Sequence, residues 1–255
     1  MDIFEEIALV KKRGGRAVLA TVIESMGSSP GKPGARMIVK EDGSTVGTIG
    51  GGAVEKKITE EALEVLQGKE TQLMRYELED LGMACGGGMS IFLEPLASAP
   101  DLIIFGAGHI GSALSKIGTL LGFTTTVVDS RQEFANRERL PWADRVIAED
   151  YQKALREITI TDTTYVIILT HRHANDFEIL EHCIKQQFFY LGMIGSRKKV
   201  ATALQQLREK GVDEESIKRI YAPIGITIGA ETPEEIAVAI AAQLVAVRSG
   251  AETPQ

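Results

Sequence analysis

The run Leu102-Ile103-Ile104-Phe105 passes without a break into Gly106-Ala107-Gly108-His109-Ile110-Gly111, and this junction limits the possible folds more than any other stretch of the chain. Four consecutive apolar residues make a strand covered on both faces. Glycines at this spacing give a tight turn, and Ile110 to Leu121 carries the helical pattern that follows. Asp129 ends the next apolar run, 18 residues past Gly111. Strand, turn, helix and acid in that order fit the dinucleotide fingerprint, in which the backbone approaches a pyrophosphate at a helix N-terminus and the acid faces ribose hydroxyls. Gly106, Gly108, His109, Gly111 and Asp129 are therefore expected to contact a nucleotide-like ligand, with His109 an ionisable ring at the mouth of the cradle. The competing reading leaves the glycines only a turn and close helix packing to serve.

The rest of the second half agrees with that junction. Strands at Thr124 to Val128, Arg145 to Ala148, Tyr165 to Leu169 and Phe188 to Met193 alternate with helices at Asp176 to Gln186, Arg197 to Lys210 and Pro233 to Arg248. Apolar strands separated by helices predict a doubly wound parallel sheet of Rossmann type. The last helix opens Thr232-Pro233-Glu234-Glu235, a capping box with proline at its first position.

Small residues and Pro100 interrupt the apolar runs after Leu96, dividing the chain into an N-terminal domain over residues 1–97 and a C-terminal one over residues 101–250. The first half mixes helices (Ile3 to Leu9, Ala53 to Leu66) with strands (Ala17 to Ile23, Arg36 to Val39, Ser44 to Thr48, Gln72 to Leu78, Met89 to Leu93) and carries three glycine-rich loops. The expected fold class is α/β: a mixed N-terminal domain followed by the doubly wound one.

Among 255 residues, 35 are acidic and 28 basic, so the net charge is −7. A nucleic acid or an anionic membrane surface needs clustered basic residues, and neither is expected as a partner. Ile236 to Val247 is too short to span a bilayer, and the opening residues lack the basic-then-apolar order of a secretory signal. Two cysteines are too few for a disulfide scaffold, which points to a reducing cytoplasm.

Three further constellations bear chemistry. Thr170-His171-Arg172-His173-Ala174-Asn175-Asp176 follows the strand ending at Leu169, where open α/β sheets bind ligands. His171 and His173 are candidates for ligand contact, a metal is the weaker reading, and Asn175 or Asp176 could simply cap the next helix. Gly195-Ser196-Arg197-Lys198-Lys199 also joins a strand end to a helix, so backbone donors, Ser196 and the three cations Arg197, Lys198 and Lys199 could hold an anion. Cys85 stands beside Gly86-Gly87-Gly88, where amides could stabilise a thiolate, whereas Cys183 falls on an apolar helix face with Phe177, Leu180 and Ile184 and reads as inert core.

Eight segments in order, GSSPGKPGARM, GTIGGGAVE, ACGGGMSIFLEP, FGAGHIG, VVDSRQEFANRERLP, THRHANDFEIL, LGMIGSRKK and PIGITIGAETPEEIAVAIAAQLVAVR, make the chain resemble the XdhC/CoxI family of xanthine dehydrogenase accessory factors nearly end to end. The resemblance implies a chaperone that binds molybdenum cofactor (molybdopterin), shields it while a cysteine desulfurase supplies its terminal sulfur, and delivers it to apo xanthine dehydrogenase or a related molybdenum hydroxylase, acting as a homodimer. It also implies cofactor contacts at Cys85 and Gly86, with Cys85 a metal contact, at Gly51 and Glu55 of the GGGxxE segment, and at the His171 and His173 pair. Where the family often has Asp-Asp-Arg, this chain has Asp129-Ser130-Arg131, one acid fewer to contact a ligand.

The alternative function is an NAD(P)-dependent oxidoreductase with His109 or His171 as acid/base. Against it, the first half offers no evident substrate domain, so no catalytic residue is assigned. A molybdenum hydroxylase proper needs iron–sulfur ligation that two cysteines cannot supply. A third reading is a regulatory nucleotide-sensing module.

Overall fold

The structure, a computed structural model, describes residues 2–12, 15–68, 71–82, 87–96, 99–171 and 173–251. The chain divides into two compact units, Met1–Ala99 and Pro100–Gln255.

The first unit contains α1 (Ile3–Lys12), β1 (Ala17–Gly27), β2 (Arg36–Lys40), β3 (Thr45–Thr48), α2 (Gly52–Gly68), β4 (Gln72–Glu77) and β5 (Gly87–Leu96). Its sheet is antiparallel, in the order β3-β2-β1-β5-β4. Alternation along the strands sends Val18, Ala20, Val22, Ile91 and Leu93 to one face, where Val54, Ile58, Ala62 and Val65 of α2 cover them. The other face is covered in part by α1, with Val10 packed against Ala17, Ile38 and Leu96. The Asp42-Gly43 hairpin forms as its sequence requires: Gly43 has φ +76°, and the Asp42 carboxylate accepts from the Ser44 N–H at 2.9 Å. β1 runs four residues past the Ile23 end expected from the sequence. A register shift between Val22 and Glu24 lets Glu24 to Gly27 pair with Ser90 to Gly87 despite the serines and glycines there.

The second unit contains β6 (Asp101–Phe105), α3 (His109–Leu120), β7 (Thr124–Asp129), β8 (Arg145–Ala148), α4 (Tyr151–Glu157), β9 (Tyr165–Ile168), α5 (His173–Cys183), β10 (Tyr190–Met193), α6 (Arg197–Glu209), α7 (Glu214–Lys218), β11 (Ile220–Tyr221) and α8 (Pro233–Ser249). The six strands are parallel, in the order β11-β10-β9-β6-β7-β8. The doubly wound sheet expected from the apolar strands is present. Successive residues serve opposite cores: Ile103, Phe105, Val166 and Ile168 pack on the side of α4 to α7, and Leu102, Ile104, Tyr165 and Ile167 on the side of α3 and α8. Strand order reverses between β6 and β9, so the ligand crevice of such a sheet falls at the carboxyl ends of these two strands.

Two features shape that edge. The strand ladder continues into the loops, with Gly106 N–H donating to Val128 at 2.7 Å, Leu169 N–H to Phe105 at 2.7 Å and Ile194 N–H to Ile168 at 3.0 Å. The loop after β11 is tied to α8 by Gln243, a buried amide whose oxygen accepts from the Tyr190 hydroxyl at 2.5 Å and from Gly225 N–H at 2.8 Å. Replacing Gln243 with leucine keeps the volume but leaves the buried Tyr190 hydroxyl and the half-buried Gly225 N–H unpaired. We expect Gln243→Leu to lose about 2 kcal/mol and lower the melting temperature by roughly 5 °C. A melting curve that overlays the parent's would show that this amide does not hold the loop.

Candidate functional site

The three glycines of the β6–α3 turn have different physical reasons. Gly106 has φ +121°, and a Cβ there would overlap the carbonyl of Leu169 on the neighbouring strand end. At Gly111 a Cβ would overlap the Gly106 carbonyl oxygen, so α3 is pressed against its own entry loop. Gly108 differs on both counts: its φ is an ordinary −66°, and a Cβ would meet nothing within 4 Å. No side chain caps α3 at this N-cap position. The first amides of the helix are left with the partial positive charge of its N-terminus facing open space.

Asp129 is fully buried at the end of β7. One carboxylate oxygen accepts from Ala107 N–H at 2.8 Å and from Arg131 Nη2 at 2.8 Å; the other accepts from Arg131 N–H at 3.0 Å and Arg131 Nε at 2.9 Å. A carboxylate has about four acceptor positions, and all are taken. Ribose hydroxyls, the contact expected for Asp129 from the sequence, would have to displace one of these donors. Burial pushes the Asp129 carboxyl upward, but the Arg131 and Ala107 bonds outweigh it and hold the group below its ordinary value. Tyr151 lies beside this carboxylate, and burial together with the Asp129 charge keeps its hydroxyl protonated far into the alkaline range.

Across the crevice, Asp176 is also buried. It accepts from Thr170 N–H at 3.0 Å and Thr170 Oγ1 at 2.6 Å, and it pairs with Lys199. Lys199 Nζ donates also to the Ile194 carbonyl at 3.1 Å, linking the loops after β9 and β10. Two sequence expectations meet this pair. Helix α5 starts at His173, so Asp176 lies inside its first turn and reaches back to Thr170 instead of capping. Lys199, one of three cations considered for an anion, is turned inward, leaving Arg197 and Lys198 exposed. Ser196 is the N-cap of α6, accepting from Lys199 N–H at 3.3 Å. With Lys198, Lys199 and Asp176 it lines a groove of about 640 Å³ floored by Phe177 and Met193.

His171 is exposed in the loop directly after β9, beside the crevice. The side chain of His173 lies outside the described residues. His109 is exposed as well, but it lines a hollow of about 280 Å³ with Ser112, Lys116, Arg139, Trp142 and Glu234. No cluster of three His, Cys, Asp or Glu side chains suited to a metal occurs among the described residues.

In the first unit, Glu55 Oε1 accepts from Thr48 Oγ1 at 2.6 Å, Ile49 N–H at 3.1 Å and Gly51 N–H at 2.9 Å. Burial opposes the charge, yet these bonds hold the Glu55 carboxyl below its usual range. Glu55 thereby fixes a turn whose glycines, Gly50, Gly51 and Gly52, all have positive φ. Cys85 and Gly86 lie outside the described residues. Burial pushes the Cys183 thiol up to about 12, as expected of inert core. Sequence reasoning did not single out Arg131 or Lys199 as structural partners. The acid–x–cation spacing at 129 and 131 was the available signal for the first, and nothing local marks the second, which lies 23 residues from Asp176.

Because the Asp129 pKa is lower folded than unfolded, its contribution to stability is present above the ordinary carboxylate range and is lost as the pH falls through the folded value. Asp129→Asn sets an NH₂ group against donors. We expect a loss of roughly 2 kcal/mol at neutral pH, and a smaller loss of stability than the parent suffers on acidification to about pH 3. Urea unfolding of both proteins at the two pH values measures this, and parallel pH slopes would count against it.

The chain matches the model of the XdhC Rossmann domain over residues 102–244 and that of the XdhC and CoxI family over residues 10–77. It is 40% identical to the uncharacterized protein YqeB of Escherichia coli over 98% of this chain and 47% of that protein, so it spans about half the length of that relative. It is 28% identical to the molybdenum cofactor insertion chaperone PaoD of Escherichia coli, over 94% of this chain and 86% of PaoD. A crystal structure from Bacillus halodurans described as a xanthine dehydrogenase superposes with a TM-score of 0.57 at 25% identity, covering 99% of this chain and 97% of the other. No helix among the described residues is long and apolar enough to cross a membrane. By its matched sequence, its antiparallel and parallel sheets and its glycine turn, the chain belongs to the XdhC family.

Proposed function

We propose that this protein is a maturation factor that binds molybdenum cofactor and assists its sulfuration and insertion into xanthine dehydrogenase or a related molybdenum hydroxylase. The observation that carries this reading is Gly108: nothing within the protein requires a glycine there, whereas a phosphate lying on the N-terminus of α3 does. Molybdopterin bears such a phosphate. The similarity to PaoD, named as an insertion chaperone, supports the cofactor assigned.

The open space at Gly108 and the uncapped helix fit a phosphate ester, so the amides following Gly108 would hold that end of the cofactor. His171, exposed in the adjoining loop, would contact the ligand across the crevice. Cys85 would supply a soft sulfur contact to molybdenum or the dithiolene, with Gly86 a further cofactor contact. Gly51 and Glu55 act indirectly, by fixing the glycine turn at the start of α2. When bound, the cofactor supplies the metal and its terminal sulfur site, and the chain's part is to hold it and exclude oxidants. A cysteine desulfurase as sulfur donor, a homodimer and a cytoplasmic setting belong to the same proposal.

Gly108→Val places a side chain where the phosphate would lie. Cofactor copurifying with the protein should fall at least about tenfold while the fold is kept, since an ordinary φ tolerates valine and the poorer N-cap costs only about 1 kcal/mol. Retention at the parent level would refute the cradle. Cys85→Ser keeps size and removes the soft donor, so cofactor retention and activation of apo hydroxylase should fall together. Full activity of that variant would make Cys85 structural.

A further inference from the structure

The end of β7 is built around a cation in place of an available acid. Asp129 has no acceptor position left, and Arg131, which fills two edges of it, is itself 27% exposed. The Arg131 guanidinium stands 4.0 Å from the centroid of the Phe134 ring, and that of Arg139 stands 4.7 Å from the same centroid. Arg139 is exposed and makes no ion pair among the described residues. It lines the hollow that continues along α3 to Lys116, whose ammonium lies over the exposed ring of Trp142 at 5.2 Å. Against Lys116 and Arg139 the hollow presents one acid, Glu234, and Glu133 is near enough to act on Arg131.

In a sheet of this topology, the residues after the second strand meet the ribose of a bound nucleotide. A free acid there selects the diol, and an arginine accommodates a phosphate on it. We propose that this crevice selects a ligand carrying a second anionic group next to Arg131 and Arg139, of the class of a nucleotide with a phosphorylated ribose, over one presenting a free ribose diol. The saturated carboxylate disfavours the diol, because accepting from it would break bonds already made. The guanidinium of Arg139, unpaired and backed by an aromatic face, offers planar paired donors to phosphate. This rests on the reading that the Gly108 turn holds a ligand phosphate.

The chain carries a suitable probe, because its single tryptophan, Trp142, is 51% exposed in the hollow. NADP+ and NAD+ differ only in the ribose phosphate, and their affinities can be measured by Trp142 quenching and, independently, by calorimetry. We expect NADP+ to bind at least about tenfold more tightly than NAD+, and Arg139→Ala to bring that ratio close to one. Raised salt should weaken NADP+ more than NAD+. Equal affinities, or a preference that survives Arg139→Ala, would overturn the inference while leaving the cradle intact. If neither dinucleotide binds, both the inference and the nucleotide reading of the Gly108 turn fall. Because Arg131 supports Asp129, Arg139 is the residue varied, and its melting temperature checks that the fold is kept.

Discussion

The carboxylate of Asp129 is the contact on which the crevice depends. It collects donors from three places: the backbone of the glycine turn, the backbone just past β7, and the guanidinium of Arg131. Each donor would otherwise be a polar group near the protein interior without a partner, at a cost on the order of 1–3 kcal/mol. Only an ionised carboxylate can accept all of them. The turn therefore takes its path because Ala107 N–H must reach this anion, and the anion is tolerated in the core because Arg131 balances it.

Once Ala107 is fixed, the glycines on either side follow from geometry. The chain must fold back tightly enough that Gly106 touches the Leu169 carbonyl and Gly111 touches Gly106 itself, and side chains at those two places would push the helix away from the sheet. Gly108 lies at the outermost point of the turn and escapes both constraints. No contact within the described residues confines it to glycine, so the phosphate proposed for this turn rests on Gly108 alone, and the rest of the motif would persist in a protein that bound nothing.

Much of the fold was legible in the sequence because its signals are local. Continuous apolar strands marked the buried sheet, Thr232-Pro233-Glu234-Glu235 marked the start of α8, and Asp42-Gly43 marked a hairpin. The elements that escaped notice, α4, α7 and β11, are short, so hydrophobic periodicity had too few residues in which to show. The candidate site was legible only in part. The positions of Gly106, Gly108 and Gly111 and of the loop after β9 follow from motif and topology. Which charges remain available does not, because that depends on pairs closed by tertiary folding. The sequence marks Asp129 as a ligand contact and Lys199 as a free cation, whereas folding gives Asp129 four donors and turns Lys199 inward to Asp176.

Those two buried carboxylates stand on opposite sides of the strand reversal, one at β7 and one at the start of α5, and each is neutralised by a cation from its own neighbourhood. The consequence is electrostatic. A chain with a net charge of −7 would ordinarily repel an anion, yet here the two acids nearest the crevice have their charge compensated within a few ångströms, so little of their field extends into it. A phosphate bound as proposed would meet the first amides of α3 and the exposed Arg197 and Lys198 at the start of α6, with Arg131 already balanced by Asp129. The amides are fixed by the backbone of the turn, so the proposed phosphate site needs no rearrangement of that loop. Under the proposed function it is this local pairing, and not the overall charge of the protein, that would let an anion approach.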